Sequence, residues 1–231
     1  MLSLVGVALA GLLLGVKHAL DADHLVAVAT IASESGAGWR AASVGAWWGL
    51  GHTAALAIAG VAVITLGITF PPWLTWWMEL AVATALVGLG ATTLYALGRG
   101  HTVHLHVHRH GDRWHAHPHV HYRDEGGTAE HSHHGAADLR ALAFGLLHGF
   151  AGSAGLFLLV LATQPSSLAA WCYLAAFGAG STAGMATFGL LLTAPLRWQR
   201  HRFALWQRRL RGLAAVASVL VGLLLGYELL L

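Results

Sequence analysis

His18-Ala19-Leu20-Asp21-Ala22-Asp23-His24 interrupts an apolar run that extends over residues 3–32. An imidazole or carboxylate at bilayer depth costs several kcal/mol unless it is partnered, so such a concentration of them marks a functional site. Read as one α-helix at about 100° per residue, His18, Asp21 and His24 fall within an arc of roughly 120°. One face then carries two imidazoles and a carboxylate. Asp23 points elsewhere on that wheel: either it orients a ligating histidine from behind, or the helix is locally unwound around the site. The donor set suits a metal ion better than a polar network that only ties helices together.

The surrounding composition decides the class. The 231 residues are 56% hydrophobic and 10% charged, against roughly 25% charged in soluble domains, which places the chain among polytopic membrane proteins. Six segments are long enough to span a bilayer: about 3–32, 41–67, 73–98, 140–163, 167–194 and 211–230. No basic stretch precedes the first, and Lys17 and the histidine motif interrupt it, so it reads as a spanning helix and not a cleaved leader. Pro71-Pro72 and Gln164-Pro165 are turn points between neighbouring helices. All twelve arginines lie in the first, third and fifth connections, which six spans put on one side. By the positive-inside rule that side is cytoplasmic and both termini are outside. The net charge of +3 is thereby an orientation signal, and nucleic-acid binding is not indicated. Residues 195–212 mix arginine with Trp198, Phe203, Leu205 and Trp206, a pattern open to an amphipathic surface helix or a plain basic loop. The single Cys172 excludes an internal disulfide and a thiolate-rich cage, leaving histidine and carboxylate as ligands.

The chain also repeats itself. Gly15-x-x-His18 recurs as Gly145-Leu-Leu-His148, and Gly49-Leu-Gly51-His52-Thr53 recurs as Gly178-Ala-Gly180-Ser181-Thr182, at offsets of 130 and 129 residues. A repeat of three spans is inserted upside down the second time, as in many secondary transporters, which bind substrate at the midplane. The expected fold is therefore an all-α membrane protein of six helices in a 3+3 inverted repeat. Residues 1–98 and 140–231 form the repeats, and 99–139 form a cytoplasmic loop. His52 joins the candidate ligands because Gly49 and Gly51 permit close helix approach at the depth of His18. His148 joins by the intramembrane default, and Ser181 as the repeat-matched position behind the ligands. Ala151 to Gly155 is a small-residue face for helix packing.

Twelve of the seventeen histidines lie between His101 and His134. His104, His106, His108, His110, His115, His117, His119 and His121 alternate with other residues at the strand period. They read as a metal buffer, arranged in a hairpin that turns at Asp112-Arg113 and pairs His110 with His115 and His104 with His121.

His18-Ala-Leu-Asp21-Ala-Asp23-His24-Leu25 closely resembles the signature helix of the nickel/cobalt transporter family, and Leu50-Gly51-His52-Thr53 resembles that family's second histidine motif. Gly145 to Gly155 and Phe177-Gly-Ala-Gly-Ser181 are similar to the smaller urease-accessory-type nickel permeases of that superfamily. Lys17 stands where the family usually has arginine, and the acidic threonine-containing motif of larger members is missing. The resemblance implies nickel or cobalt movement across the cytoplasmic membrane, with His18, Asp21, Asp23, His24 and His52 as functional positions. The expectation is a secondary transporter of Ni²⁺ or Co²⁺, with Zn²⁺ chemically admissible, acting in uptake by alternating access. Efflux is the alternative direction. A metal sensor or store and a haem-binding electron carrier are the rivals from other classes. No enzyme motif and no prosthetic group are expected. The implied partners are a divalent metal ion, the lipid bilayer, and a cytoplasmic metal chaperone or metalloenzyme maturation system.

Overall fold

The computed structural model describes residues 3–35, 38–67, 71–99, 102–110, 113–121, 134–150, 161, 163–164, 166–198 and 203–231. Seven helices occur among them: α1 (Leu4–His18), α2 (Ala22–Ser35), α3 (Trp39–Leu66), α4 (Pro72–Gly98), α5 (His134–Gly149), α6 (Ser167–Trp198) and α7 (Phe203–Glu228). Strands β1 (Thr102–His110) and β2 (Arg113–His121) stand between α4 and α5.

The first expected span is not one helix. α1 ends at His18 and α2 restarts at Ala22, and the two axes differ by 62°. Backbone bonds Leu20 N→Lys17 O and Asp21 N→His18 O, both 3.0 Å, tighten the chain into a short i→i+3 turn. Asp21 O then accepts from Leu25 N at 3.0 Å and opens α2. Asp21 and Asp23 thus fall where the partial positive charge of a helix N-terminus favours carboxylates. This corrects the single-wheel arrangement of His18, Asp21 and His24, because the ligand motif straddles a break.

Other boundaries follow local chemistry. Ser3 Oγ accepts from Gly6 N at 3.2 Å and caps α1. Gly67, at φ 62°, ends α3 in the left-handed conformation that glycine adopts without a Cβ clash. Pro72 occupies the first position of α4, where a missing N–H costs nothing.

α3, α4, residues Ser167–Ala194 of α6 and Leu205–Glu228 of α7 are each long and apolar enough to cross a membrane, and α1 with α2 qualifies as a bent pair. Among the described residues the membrane part is all-helical. The fourth expected span, 140–163, begins in α5, but residues 151–160 lie outside the described residues, as does the small-residue face placed there. Of residues 195–212, those to Trp198 continue α6 and those from Phe203 open α7, while residues 199–202 lie outside the described residues.

α1 lies against α6, α3 packs between α5 and α6, and α4 pairs with α7. Glycines make the central approaches close. A Cβ on Gly15 would collide with the Phe177 carbonyl, one on Gly145 with the Trp48 carbonyl, and one on Gly51 with the Leu142 carbonyl. The core around Trp48, Val44, Ile31 and Met185 is buried, whereas Leu13 (67%), Ile58 (58%) and Leu220 (61%) are exposed. Apolar surface on that scale belongs against lipid chains.

The histidine-rich segment does form a two-stranded antiparallel hairpin, but in a shifted register. His104 opposes His119, His106 opposes His117 and His108 opposes His115, while His110 opposes Arg113. The two residues between the strands, 111 and 112, lie outside the described residues. A shift of two residues leaves every position on its original face.

Candidate metal centre

The break between α1 and α2 gathers the motif. His18 is the last residue of α1, His24 lies in the first turn of α2, His52 lies mid-way along α3, and His148 lies near the end of α5. All four are buried among apolar helices. His18, His24 and His52 each offer a ligand atom within 4.8 Å of the others', and Asp23, His24 and His148 do the same. The two groups share His24.

Each acid has a separate task. Asp21 Oδ2 accepts from His18 Nδ1 at 2.9 Å, and Asp23 Oδ1 accepts from His24 Nδ1 at 2.9 Å and from the His24 backbone N–H. Asp23 Oδ2 accepts from His148 Nε2 at 2.8 Å. Carboxylates that hold one ring nitrogen of a histidine fix its tautomer and raise the basicity of the other nitrogen. The helix is broken, and Asp23 accepts a hydrogen bond from the Nδ1 of His24 while itself belonging to the second group. Asp21 orients His18 and belongs to neither group. Lys17 is exposed, and Asp21 is engaged by His18.

The tautomers follow in sequence. With its Nδ1–H given to Asp21, neutral His18 presents an Nε2 lone pair, and His52 Nε2, 2.9 Å away, donates its proton to it. Two nitrogens bound cis to one ion at about 2.1 Å are about 3 Å apart, so this pair is spaced for a shared metal. A cation held there would displace the shared proton to His52 Nδ1 or to solvent. His24 Nε2 is buried without a partner among the described residues, a lone pair free for a ligand. Binding needs neutral imidazoles, so it weakens as they protonate.

The walls are aromatic. The Phe177 ring lies 5.3 Å from His18 and the Trp48 ring 5.7 Å from His148, residues not expected from sequence. Ser181, one turn beyond Phe177 on α6, backs onto Gly15 of α1, and its buried hydroxyl has no partner among the described residues. Thr53 Oγ1 and Thr182 Oγ1 meet at 3.2 Å beside it. Glu34 was also missed. It binds Arg140, Arg211 and Thr93, and the signal was an acid eleven residues beyond Asp23 at the end of an apolar run.

Apolar helices around a buried cluster of imidazole and carboxylate donors define a membrane protein with a metal-competent centre at a helix break. The chain is 32% identical over 193 residues to the urease accessory protein UreH of Bacillus sp. (strain TB-90), a match covering 83% of this chain and 78% of that protein. It is 31% identical over 93 residues to the high-affinity nickel transport protein of Cupriavidus necator, covering 40% of this chain but only 26% of that relative. The chain belongs to the nickel/cobalt permease family, in its UreH-like branch. These relatives are an accessory protein and a transporter, not enzymes. No family model matches the sequence, and no solved structure is similar to it.

Proposed function

We propose that the chain is a secondary transporter that takes up Ni²⁺ across the cytoplasmic membrane, with Co²⁺ as the alternative cargo. The observation that carries this reading is the convergence of four buried imidazoles and Asp23 on the break between α1 and α2. Nitrogen and oxygen donors suit Ni²⁺, Co²⁺ and Zn²⁺ alike, and the names of the two relatives favour nickel. His18, His24, His52 and His148 are the ligands, Asp23 holds His24 and His148, Asp21 orients His18, and Ser181 stands behind.

Alternating access arises from rocking of a 3+3 inverted repeat, residues 1–98 against 140–231. Reciprocal contacts support the repeat. Gly15 meets Phe177 O and Ser181 N, and its counterpart Gly145 meets Trp48 O and His52 N. Gly51 meets Leu142, and Gly180 meets Leu12; Gly184 meets Ala19, and Gly149 meets Ala55. In every pair the partners exchange at the offsets of 130 and 129, the pattern of a two-fold relation. Thr53 and Thr182, matched by the same offset, touch each other. The arginine-bearing connections and the 99–139 loop face the cytoplasm, where a metal chaperone or maturation system would take the ion.

The hairpin histidines His104, His106, His108, His110, His115, His117, His119 and His121 act as a metal buffer. Three cross-strand pairs share one face, and an isolated hairpin is marginal in water unless metal stabilises it. Amides of β1 and β2 are expected to gain protection from hydrogen exchange on saturation with Ni²⁺, and unchanged exchange would reduce the loop to a solvated sponge.

The deciding experiment is flux of Ni²⁺, Co²⁺ and Zn²⁺ in proteoliposomes of known orientation. Inward nickel flux lost in His24→Ala supports the proposal, outward flux reverses the direction, and binding without flux of any of the three favours a sensor or store.

A further inference from the structure

Beyond the metal centre, the strongest polar cluster among the described residues lies at the far end of α2. Glu34 Oε2 accepts from Arg140 Nη1 at 3.0 Å, and Glu34 Oε1 accepts from Thr93 Oγ1 at 2.9 Å and from Arg211 Nη2 at 3.4 Å. One residue earlier, Ser33 O accepts from Gln207 Nε2 at 3.0 Å. α2 and α4 belong to the first half of the chain, whereas Arg140 on α5 and both Gln207 and Arg211 on α7 belong to the second. The cluster is a tie between the halves, at the end that carries the arginine-rich connections.

Its placement relative to the metal centre is specific. Glu34 follows Asp23 by eleven residues, about 16 Å along the axis and within about 20° of the same face. Ala27 and Thr30, small and fully buried, lie on the stripe between them. α5 meets both ends of this stripe, through His148 on Asp23 and Arg140 on Glu34. One helix pair from opposite halves is therefore pinned twice, once by the metal centre itself and once by the ion pairs. Between the two pins the stripe has small side chains and no charge.

We propose that the Glu34–Arg140–Arg211 cluster is the gate on the arginine-bearing side, closed in this structure, and that the Asp23–Ala27–Thr30–Glu34 stripe of α2 is one wall of the path it closes. This rests on the transport reading for its purpose, but not for its measurement. The chemistry suits a gate. Arg140 is half-exposed and Glu34 is reached by water, so the pair can separate at modest cost, unlike a fully buried one. Gln207 Oε1 and Arg211 Nε, one turn apart on α7, are buried without partners among the described residues. Opening admits water to both and offsets part of the cost of parting the charges. Rocking one half against the other breaks the bonds of Arg140 and Arg211 to Glu34 and of Gln207 to Ser33 directly, since these three cross the boundary between halves, whereas the Thr93 bond to Glu34 stays within the first.

The test uses Thr30→Cys in a Cys172→Ala background, reconstituted in liposomes and treated from the arginine-bearing side with a membrane-impermeant thiol reagent. With the gate closed, labelling should be slow. Arg140→Gln and Glu34→Gln should each raise the rate tenfold or more, and Arg140→Lys should stay within about threefold of the parent. Nickel binding by the purified variants should be unchanged, because the metal centre is left whole. Labelling within twofold of the parent in both neutral variants overturns the proposal. So does a rise accompanied by lost nickel binding and a lowered melting temperature, which would make the cluster a fold stabiliser only. Absence of metal flux in the parent protein would defeat the transport reading yet leave this accessibility measurement standing.

Discussion

His24→Ala is expected to abolish high-affinity nickel binding, Asp23→Asn to weaken it by about 10–100-fold, and Asp21→Asn to weaken it less than Asp23→Asn does. The order follows from what each group touches. His24 is common to both sets of donor atoms, so its loss dismantles both at once. Asp23 accepts from two imidazoles and a backbone N–H, whereas Asp21 accepts from one imidazole and is 45% exposed in its side chain. An asparagine at position 23 turns one oxygen into an amide donor that faces an imidazole N–H. Either His24 or His148 must then change tautomer, and His24 would present Nε2–H where a metal needs a lone pair. Calorimetric titration of purified protein with Ni²⁺ reads the three affinities directly. An Asp21→Asn loss equal to that of His24→Ala would show that Asp21 is itself a ligand.

The donor types were legible because polar groups at bilayer depth stand out against leucine and alanine. Their arrangement was not. Residues 19–21 contain neither glycine nor proline, so nothing local announces the break after His18, and a continuous wheel happens to align His18, Asp21 and His24. The partners of Asp23 were hidden for another reason: His148 lies 125 residues away, and only the packing of α2 on α5 joins them. Glu34 sits just beyond the expected end of the first span, where an acid normally meets water and draws no notice. Period-two histidines were enough to find the hairpin, but alternation alone leaves the register open by steps of two, and His110 opposes Arg113 where His115 was expected.

Gly145→Val should have the largest effect on the fold, and Gly15→Val should match it if the halves are built alike. A Cβ at either position strikes backbone, the Trp48 carbonyl in one case and the Phe177 carbonyl in the other, and the next atoms met are the backbone nitrogens of His52 and Ser181. Backbone in a helix cannot rotate aside as a side chain would, so α5 must separate from α3, or α1 from α6. Overpacking of this kind costs about 1–3 kcal/mol where side chains can give way, and these sites lie at or above the top of that range. Gly88 is the control, since a Cβ there meets nothing within 4 Å. Melting of detergent-solubilised protein should show Gly88→Ala near the parent, with Gly15→Val and Gly145→Val strongly and comparably destabilised. The functional loss should exceed the loss of folded protein. Moving α5 from α3 carries His148 away from His52, and moving α1 from α6 shifts His18 against His52, whose Nε2 atoms are now 2.9 Å apart. A valine tolerated at one position and ruinous at the other would mean that the two helix contacts, despite their matched partners, carry unequal loads.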